Sequence, residues 1–474
     1  MSYSMAKGIV WSAVERFSVQ GVQFFLSIVI ARLVMPSDYG LIAMMTIFLS
    51  IAQTFVDSGL GQALIHKEDC SDVDYSTAFY LNITIAAIAY GLLFVASPHV
   101  AVFYSQPELE IILRFSSLNI VINSFGLVQK AKLTRSVDFK TQAKASLGAV
   151  IMSGVLGVYL AYTGYGVWSL VFQSIAFSAS NTAILWILSK WRPLLVFSKD
   201  SFKALYGFGI KLLFTGLLST VYNNMYSLVI GKFYNSALLG LYNRASTLAQ
   251  YPSSNLVNII SRVVYPIECG MQNDNENLRR SFLKTIGVSS FLIFPLMIGL
   301  AVLSKPFVMV VLSPKWEGAS LYLFIICLAL MWNHVMFLNW QLLSVKGRTD
   351  LSLKSEIIKK IFSVIILIAF IPFGVTAMCW GQVLYSFIDM ILIIFFLKDV
   401  VGIDYIDEFK VIFPPFIISC IMGGAIFFIN FFISSYLLQL VVGLCVGIVI
   451  YVLLSNLLKR WEFDLLMNKI QKKQ

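Results

Sequence analysis

Charge is scarce in this chain: Asp, Glu, Lys and Arg together make up 12% of 474 residues, about half the share found in an ordinary soluble protein. A soluble globular domain is excluded on that ground. Histidine is scarcer still, with three in all, and His66, His99 and His334 lie far apart, so neither a metal cluster nor a catalytic triad can be assembled around them. Cysteine is sparse and unpatterned. Cys327, Cys379, Cys420 and Cys445 fall inside apolar stretches and Cys70 and Cys269 in polar breaks, with no CxxC or Cys/His spacing to suggest a disulfide framework or a zinc site. No Walker motif, no GxGxxG following a strand and no HExxH occurs, so ATP is not the evident energy source and no cofactor is expected.

What is present is apolar. Hydrophobic residues make up 58% of the chain, arranged in runs of roughly 20, the length a helix needs to cross a ~30 Å hydrocarbon core. The first run begins near Ile9, is too long for a signal-peptide core and has no small-residue cleavage pattern after it, so it reads as a retained span. Fourteen runs are expected to be helices: 9–34, 39–61, 76–98, 108–129, 145–163, 166–189, 204–231, 238–261, 285–304, 318–345, 361–373, 375–397, 411–432 and 436–458. The reading is an all-α polytopic membrane protein.

The net charge of +11 does not point to nucleic acid, because Lys and Arg occupy the breaks between runs and not one amphipathic face. Assigned alternately to two faces, the breaks separate sharply. One face holds Lys130, Lys132, Arg135, Lys140 and Lys144, then Lys190, Arg192, Lys199 and Lys203, then Lys346, Arg348, Lys354, Lys359 and Lys360; the other holds Arg32, Lys232, Lys305 and Lys315. By the positive-inside rule the basic face, which carries both termini, is cytoplasmic.

The sequence repeats at an offset of 200 residues. Ser27-Ile-Val-Ile-Ala-Arg32, running on to Gly40-Leu41, resembles Ser227-Leu-Val-Ile-Gly-Lys232, running on to Gly240-Leu241. Two six-helix lobes are therefore expected, 1–200 and 201–400, related by a parallel repeat, with an extra helix pair and a basic cytoplasmic tail over 401–474.

Polar residues inside the runs carry the functional signal. In predicted helix 1, Arg16, Gln20, Gln23 and Ser27 share one face, as do Gly216, Thr220, Asn223 and Ser227 at the offset of 200 in helix 7. Helix 2 presents Thr46, Ser50, Gln53 and Asp57 in the same way, and helix 8 presents Ser246, Gln250 and Ser253. Single polar residues of this kind often act as interhelical glue worth about 1 kcal/mol or less. Four stripes repeated in both halves point instead to a shared hydrated cavity, since an amide facing lipid costs several kcal/mol. Lys211, Arg114 and Arg244 lie near span ends and off the stripes, where snorkelling to the interface accounts for them. Asp57, Glu15 and Asp389 are the candidates for coupling transport to a proton or sodium gradient. Arg16, the cation that lies on a stripe, is the candidate for holding a phosphate through paired guanidinium hydrogen bonds.

Trp11-Ser-Ala-Val-Glu-Arg-Phe17, Ile30-Ala-Arg-Leu-Val-Met-Pro36 with Asp38-Tyr-Gly40, and Phe55-Val-Asp-Ser-Gly-Leu-Gly61 resemble the opening of Wzx-type oligosaccharide flippases, of the superfamily that also holds the MATE drug exporters and the lipid II flippases. Ser189-Lys-Trp-Arg-Pro193 and Pro314-Lys-Trp-Glu-Gly-Ala319 are similar to further patterns of that family. The resemblance implies a bacterial inner-membrane protein that exports undecaprenyl-diphosphate-linked glycan repeat units by alternating access for cell-surface polysaccharide such as lipopolysaccharide. It implies a cavity formed mainly by helices 1, 2, 7 and 8, and lipids and other polysaccharide-assembly proteins as partners. Gly216 departs from the pattern, since it stands where a second-lobe counterpart of Arg16 would be. The rival readings are a multidrug exporter of the same superfamily and a membrane polymerase or ligase acting on the same lipid-linked glycan. The short outward breaks leave the enzyme little chain for a catalytic site.

Overall fold

A computed structural model describes the backbone of residues 3–57, 59–67 and 69–465, and the side chains of these except 3–17, 204–212 and 399. By compactness the chain divides into two units, 1–240 and 241–474. The described residues form helices and connecting turns, without strands.

Unit 1 runs α1 (Tyr3–Leu33), α2 (Pro36–Asp57), α3 (Leu60–His66), α4 (Asp72–Tyr104), α5 (Glu108–Ser116), α6 (Leu118–Ser124), α7 (Leu127–Arg135), α8 (Phe139–Tyr162), α9 (Val167–Leu188) and α10 (Lys199–Phe233). The division between units falls in the first turns of α11 (Ser236–Gly270). Unit 2 continues with α12 (Asn275–Val302), α13 (Ser304–Phe307), α14 (Ala319–Leu330), α15 (Asn333–Val345), α16 (Thr349–Phe370), α17 (Val375–Val401), α18 (Tyr405–Phe431) and α19 (Tyr436–Leu457).

Each of the fourteen apolar runs is occupied by helix. Among the described residues nine helices are long and apolar enough to cross a membrane, or ten when the bent pair formed by Glu108–Ser124 and Leu127–Arg135 counts as one span. The chain is a multi-pass membrane protein. The expected helix 11, 361–373, begins twelve residues earlier, at Thr349, because its first turns carry their polar residues inward, burying Ser352, Ser355 and Lys359, and leave Leu353 and Ile357 exposed.

Lipid tails are as apolar as leucine, so helices in a bilayer associate through close packing of small residues and not through burial from water. α8 shows this plainly. Ala145, Ala149, Ser153, Gly157 and Ala161 recur every fourth residue and are all buried, and a Cβ at Gly157 would lie 2.9 Å from Gln173 Cγ on α9. The neighbouring Gly154 admits Leu26 of α1 so closely that a Cβ there would overlap it. In unit 2, Gly423 of α18 meets Ile298 of α12 in the same manner, at 2.8 Å from a hypothetical Cβ.

The tightest approach joins the first turns of α2 and α11. A Cβ on Gly40 would overlap the Ser236 carbonyl, and a Cβ on Gly240 would overlap the Pro36 carbonyl. Both pairs are offset by 200 residues, so the two copies of the repeated Gly-Leu motif meet each other reciprocally.

Candidate functional site

The expected helix 4 is not one helix. It kinks by 42° where α6 gives way to α7, at Phe125-Gly126, and the break frees carbonyls that an apolar surrounding would leave costly and unpaired. Neighbouring helices supply the donors. Thr182 Oγ1 donates to the Ile122 carbonyl at 3.2 Å and Trp186 Nε1 to the Phe125 carbonyl at 2.8 Å, both from α9, and Asn82 Nδ2 of α4 donates to the Ser124 carbonyl at 3.1 Å. Helix 2 is broken as well, at Gly59, whose φ of 70° lies in the left-handed region that favours glycine.

Between these two breaks lies a polar cavity of about 620 Å³ inside unit 1. Gln53 and Asp57 of α2, Gln62 of α3, Asn82 of α4, Asn123 of α6, Lys130 and Thr134 of α7, and Phe177, Asn181 and Thr182 of α9 line it. It occupies the end of the unit nearer the Lys/Arg-rich loops. Ion pairs join the elements there: Lys67 with Asp74 at 2.7 Å and Lys132 with Asp72 at 3.6 Å, while Arg135 Nη1 donates to the Leu64 carbonyl at 3.2 Å.

Gln53 Nε2 donates to Asp57 Oδ1 at 2.9 Å. Their stripe on α2 is continued by Ser50 and by Thr46, whose hydroxyl donates back to the Ile42 carbonyl at 2.8 Å. About half a turn around the same helix, Phe48, Ile51, Ala52 and Phe55 line an apolar groove of about 360 Å³ together with Ile85, Ile88 and Leu92 of α4. α2 is thus wet along one side and dry along the other.

α10 packs on α2 between those two sides. Thr220 and Thr54 hydroxyls are 3.0 Å apart, and a Cβ on Gly216 would lie 3.0 Å from Thr54 Cγ2. That close contact accounts for a small residue at Gly216, where a counterpart of Arg16 would stand. Asn223 of α10 and Gln23 of α1 are exposed, and Gln20 and Ser50 are half-buried. Arg16 and Glu15 lie outside the residues whose side chains are described, as does Lys211.

In unit 2, Gln250 Nε2 donates to Ser246 Oγ at 3.0 Å on α11, while Ser253 donates to the Leu330 carbonyl at 3.0 Å. Asp389 of α17 is buried against Lys359 of α16, at 3.1 Å, and Lys359 also reaches Glu356 at 2.7 Å. The other off-stripe cations are held more firmly than snorkelling requires. Arg114 donates to Ser97 Oγ at 2.9 Å, pairs with Glu110 at 2.8 Å and lies 4.3 Å from the Phe94 ring centroid, and Arg244 is 7% exposed.

Sequence reasoning passed over the Asn82–Asn123–Asn181 constellation because none of the three falls on a stripe repeated at the offset of 200. The available signal was an amide inside an otherwise apolar stretch on three helices of one lobe. It also passed over two buried carboxylates of unit 2. Glu408 accepts from Asn339 Nδ2 at 3.0 Å. Glu268 lies beyond the expected helix 8 run, and burial, partly offset by the Gln341 amide beside it, pushes its carboxyl up to about 7.

Solvent contact at the stripes is open to direct measurement. Single cysteines at Gln23 and at Asn223, in a chain relieved of its six native cysteines, are expected to react with a small water-soluble thiol reagent in intact membranes. Protection at both sites would assign these amides to helix packing.

Residues 29–321 match the family model described as "Polysaccharide biosynthesis protein". The chain is 27% identical over 376 residues to the teichuronic acid biosynthesis protein TuaB of Bacillus subtilis (strain 168), covering 78% of each. It is 26% identical over 420 residues to the lipopolysaccharide biosynthesis protein WzxC of Escherichia coli (strain K12), covering 87% of this chain and 85% of that one. Among solved structures it is similar to the lipid II flippase MurJ in an inward closed conformation, with a TM-score of 0.75, 16% identity and coverage of 95% of this chain and 100% of that one. An inward-facing multidrug resistance MATE family transporter matches with a TM-score of 0.62 at 13% identity, over 82% of this chain and 99% of that one.

Proposed function

Because the chain belongs to the polysaccharide biosynthesis protein family, we propose that it carries undecaprenyl-diphosphate-linked oligosaccharide repeat units from the cytoplasmic to the outer leaflet of the bacterial inner membrane, by alternating access. The physical task is to take many sugar hydroxyls and a diphosphate past a core where each unpaired polar group costs several kcal/mol. The observation that supports the reading is the run of amides left open to contact on spanning helices, Gln23 on α1, Gln53 on α2 and Asn223 on α10, which can replace the hydration of a glycan. The names borne by TuaB and WzxC, for teichuronic acid biosynthesis and lipopolysaccharide biosynthesis, support the reading.

On this reading both termini are cytoplasmic, and the polar residues of α1, α2, α10 and α11 serve the substrate: Arg16, Gln20, Gln23, Thr46, Ser50, Gln53, Thr220, Asn223, Ser246 and Gln250. The 200-residue repeat supports two lobes, 1–200 and 201–400, that rock during the cycle. The step is transport and not catalysis, driven by a proton or sodium gradient, with Asp57, Glu15 and Asp389 as coupling candidates and other polysaccharide-assembly proteins as partners.

Arg16 supplies the test. A guanidinium offers two parallel hydrogen bonds to phosphate oxygens, which an amide cannot match. In a host deleted for its own flippase, the wild-type chain is expected to restore surface polysaccharide. Arg16→Gln is expected to abolish export while the protein still accumulates in the membrane, and Arg16→Lys to retain part of it as a point charge. Rescue of Arg16→Gln by Asp57→Asn would show that the arginine serves to neutralise the aspartate, and the phosphate role would be withdrawn.

A further inference from the structure

The cavity inside unit 1 is built like a ligand site and not like a packing defect. Its volume, about 620 Å³, lies within the roughly 300–1,000 Å³ usual for small-molecule sites. Six helical segments contribute polar side chains to it, and it is placed at the break in helix 4, where the backbone is already irregular. Irregular backbone at membrane depth persists where it is buried in protein or lines a wet cavity, and discontinuous helices of this kind mark binding sites in transporters.

Two acceptors at the wall are left without protein partners. Asn82 is fully buried and spends its Nδ2 on the Ser124 carbonyl, while its Oδ1 has no hydrogen-bond partner. The Oδ1 of Asn181 on α9 is likewise buried and unpartnered. A buried acceptor left unmade costs about 1–3 kcal/mol, so the site is built for donors that arrive with a ligand. Gln53, Gln62, Asn123, Ser124, Thr134 and Thr182 share the remaining wall with apolar residues and glycines, and Phe177 adds one aromatic face. Asp57 and Lys130 bring one charge of each sign to the lining, so the wall carries no net charge. Lys130 stands on the basic-loop side.

Hydroxyl-rich, largely uncharged and aromatic-compatible is the chemistry of a sugar. We propose that this cavity is a carbohydrate-binding compartment within unit 1, which accepts sugar hydroxyls on Asn82 and Asn181. The proposal rests on the transport reading above for its biological role, and it adds a place where the glycan itself is read, apart from the Arg16 position assigned to the diphosphate.

The test uses the full chain in membranes, without its native cysteines and with Thr182→Cys placed in the cavity wall. Two probes are compared at millimolar concentration: oligosaccharides released by mild acid from the surface polysaccharide of the source strain, and farnesyl diphosphate, which carries the head group without sugar. Released oligosaccharides are expected to slow labelling of the cysteine by a water-soluble thiol reagent about fivefold or more, and farnesyl diphosphate to leave it unchanged. Equal protection by farnesyl diphosphate, or protection by neither, overturns the proposal.

Export supplies the second readout. In the flippase-deleted host, Asn181→Leu is expected to lower surface glycan about tenfold or more, the order expected when a site loses a hydrogen-bond partner for its substrate, with Asn181→Gln restoring part of it. Unchanged export by Asn181→Leu, with the wild type active, would sink the compartment and leave the transport reading standing. An inactive wild type together with sugar protection of the cavity would do the reverse.

Discussion

Valine at Gly40 is expected to remove the folded protein from the membrane fraction, and Gly240→Val to do the same. Overpacking a core with extra methylenes costs typically about 1–3 kcal/mol when side chains can shift. Here the atoms in the way are the backbone carbonyls of Ser236 and Pro36, which belong to helical first turns and have nowhere to swing. Even Gly40→Ala places its Cβ within the Ser236 carbonyl, so a large fall in the thermal midpoint of the detergent-solubilised protein is expected for alanine too. Gly21→Ala is the control. Nothing lies within 4 Å of a Cβ there, and exchanging glycine for alanine inside a helix is favourable by about 0.5–1 kcal/mol, so α1 is expected to tolerate it or gain. A wild-type midpoint for Gly40→Ala would mean that the first turns of α2 and α11 do not cross as closely as described.

The second large effect belongs to Lys359. Its ammonium is buried between Glu356 and Asp389, with 5% of its side chain exposed against 10% for Asp389. Removing one partner of a buried pair strands the other's charge and costs about 3–5 kcal/mol, whereas replacing both by apolar groups is often neutral. Lys359→Met is therefore expected to destabilise strongly, and the double change Lys359→Met/Asp389→Leu to recover most of the loss in the same thermal assay. This bears on coupling, for an ion that engages Asp389 has to compete with a resident ammonium. A double variant no more stable than Lys359→Met would show that the pair is not an isolated unit, and would keep Asp389 in contention as a site where the gradient acts.

Lys359 also shows where sequence reading runs out. Hydropathy sees each residue against its own neighbours, and Lys359-Lys360 beside Glu356 looks like the end of a loop, so the run was expected to open at 361. Its carboxylate partner stands thirty residues on, in another helix, and pairing across helices leaves no trace in a window. The fourteen runs themselves were legible because bilayer thickness imposes a length on every one. Of the breaks inside runs, the one at Gly59 was announced by the turn residues Asp57-Ser58-Gly59, whereas Gly126 differs in nothing visible from Gly21, which sits in unbroken helix. The stripes on α2 and α10 were legible as periodicity, while the cavity amides were not: Asn82, Asn123 and Asn181 converge through the kink at Gly126, which no spacing rule anticipates.

The two-sided character of α2 restricts how that helix can take part in a transport cycle. With Gln53 and Asp57 on one flank and Phe48, Ile51 and Phe55 on the other, a turn of about 180° about its own axis would put a carboxylate into the dry groove and aromatic rings into the wet cavity. The desolvation alone comes to several kcal/mol for each polar group. Sliding and tilting keep each flank in its own medium, whereas spinning does not. α2 is in this respect a keyed shaft: it can lean and it can travel, but its angular setting is fixed by the two solvents it separates.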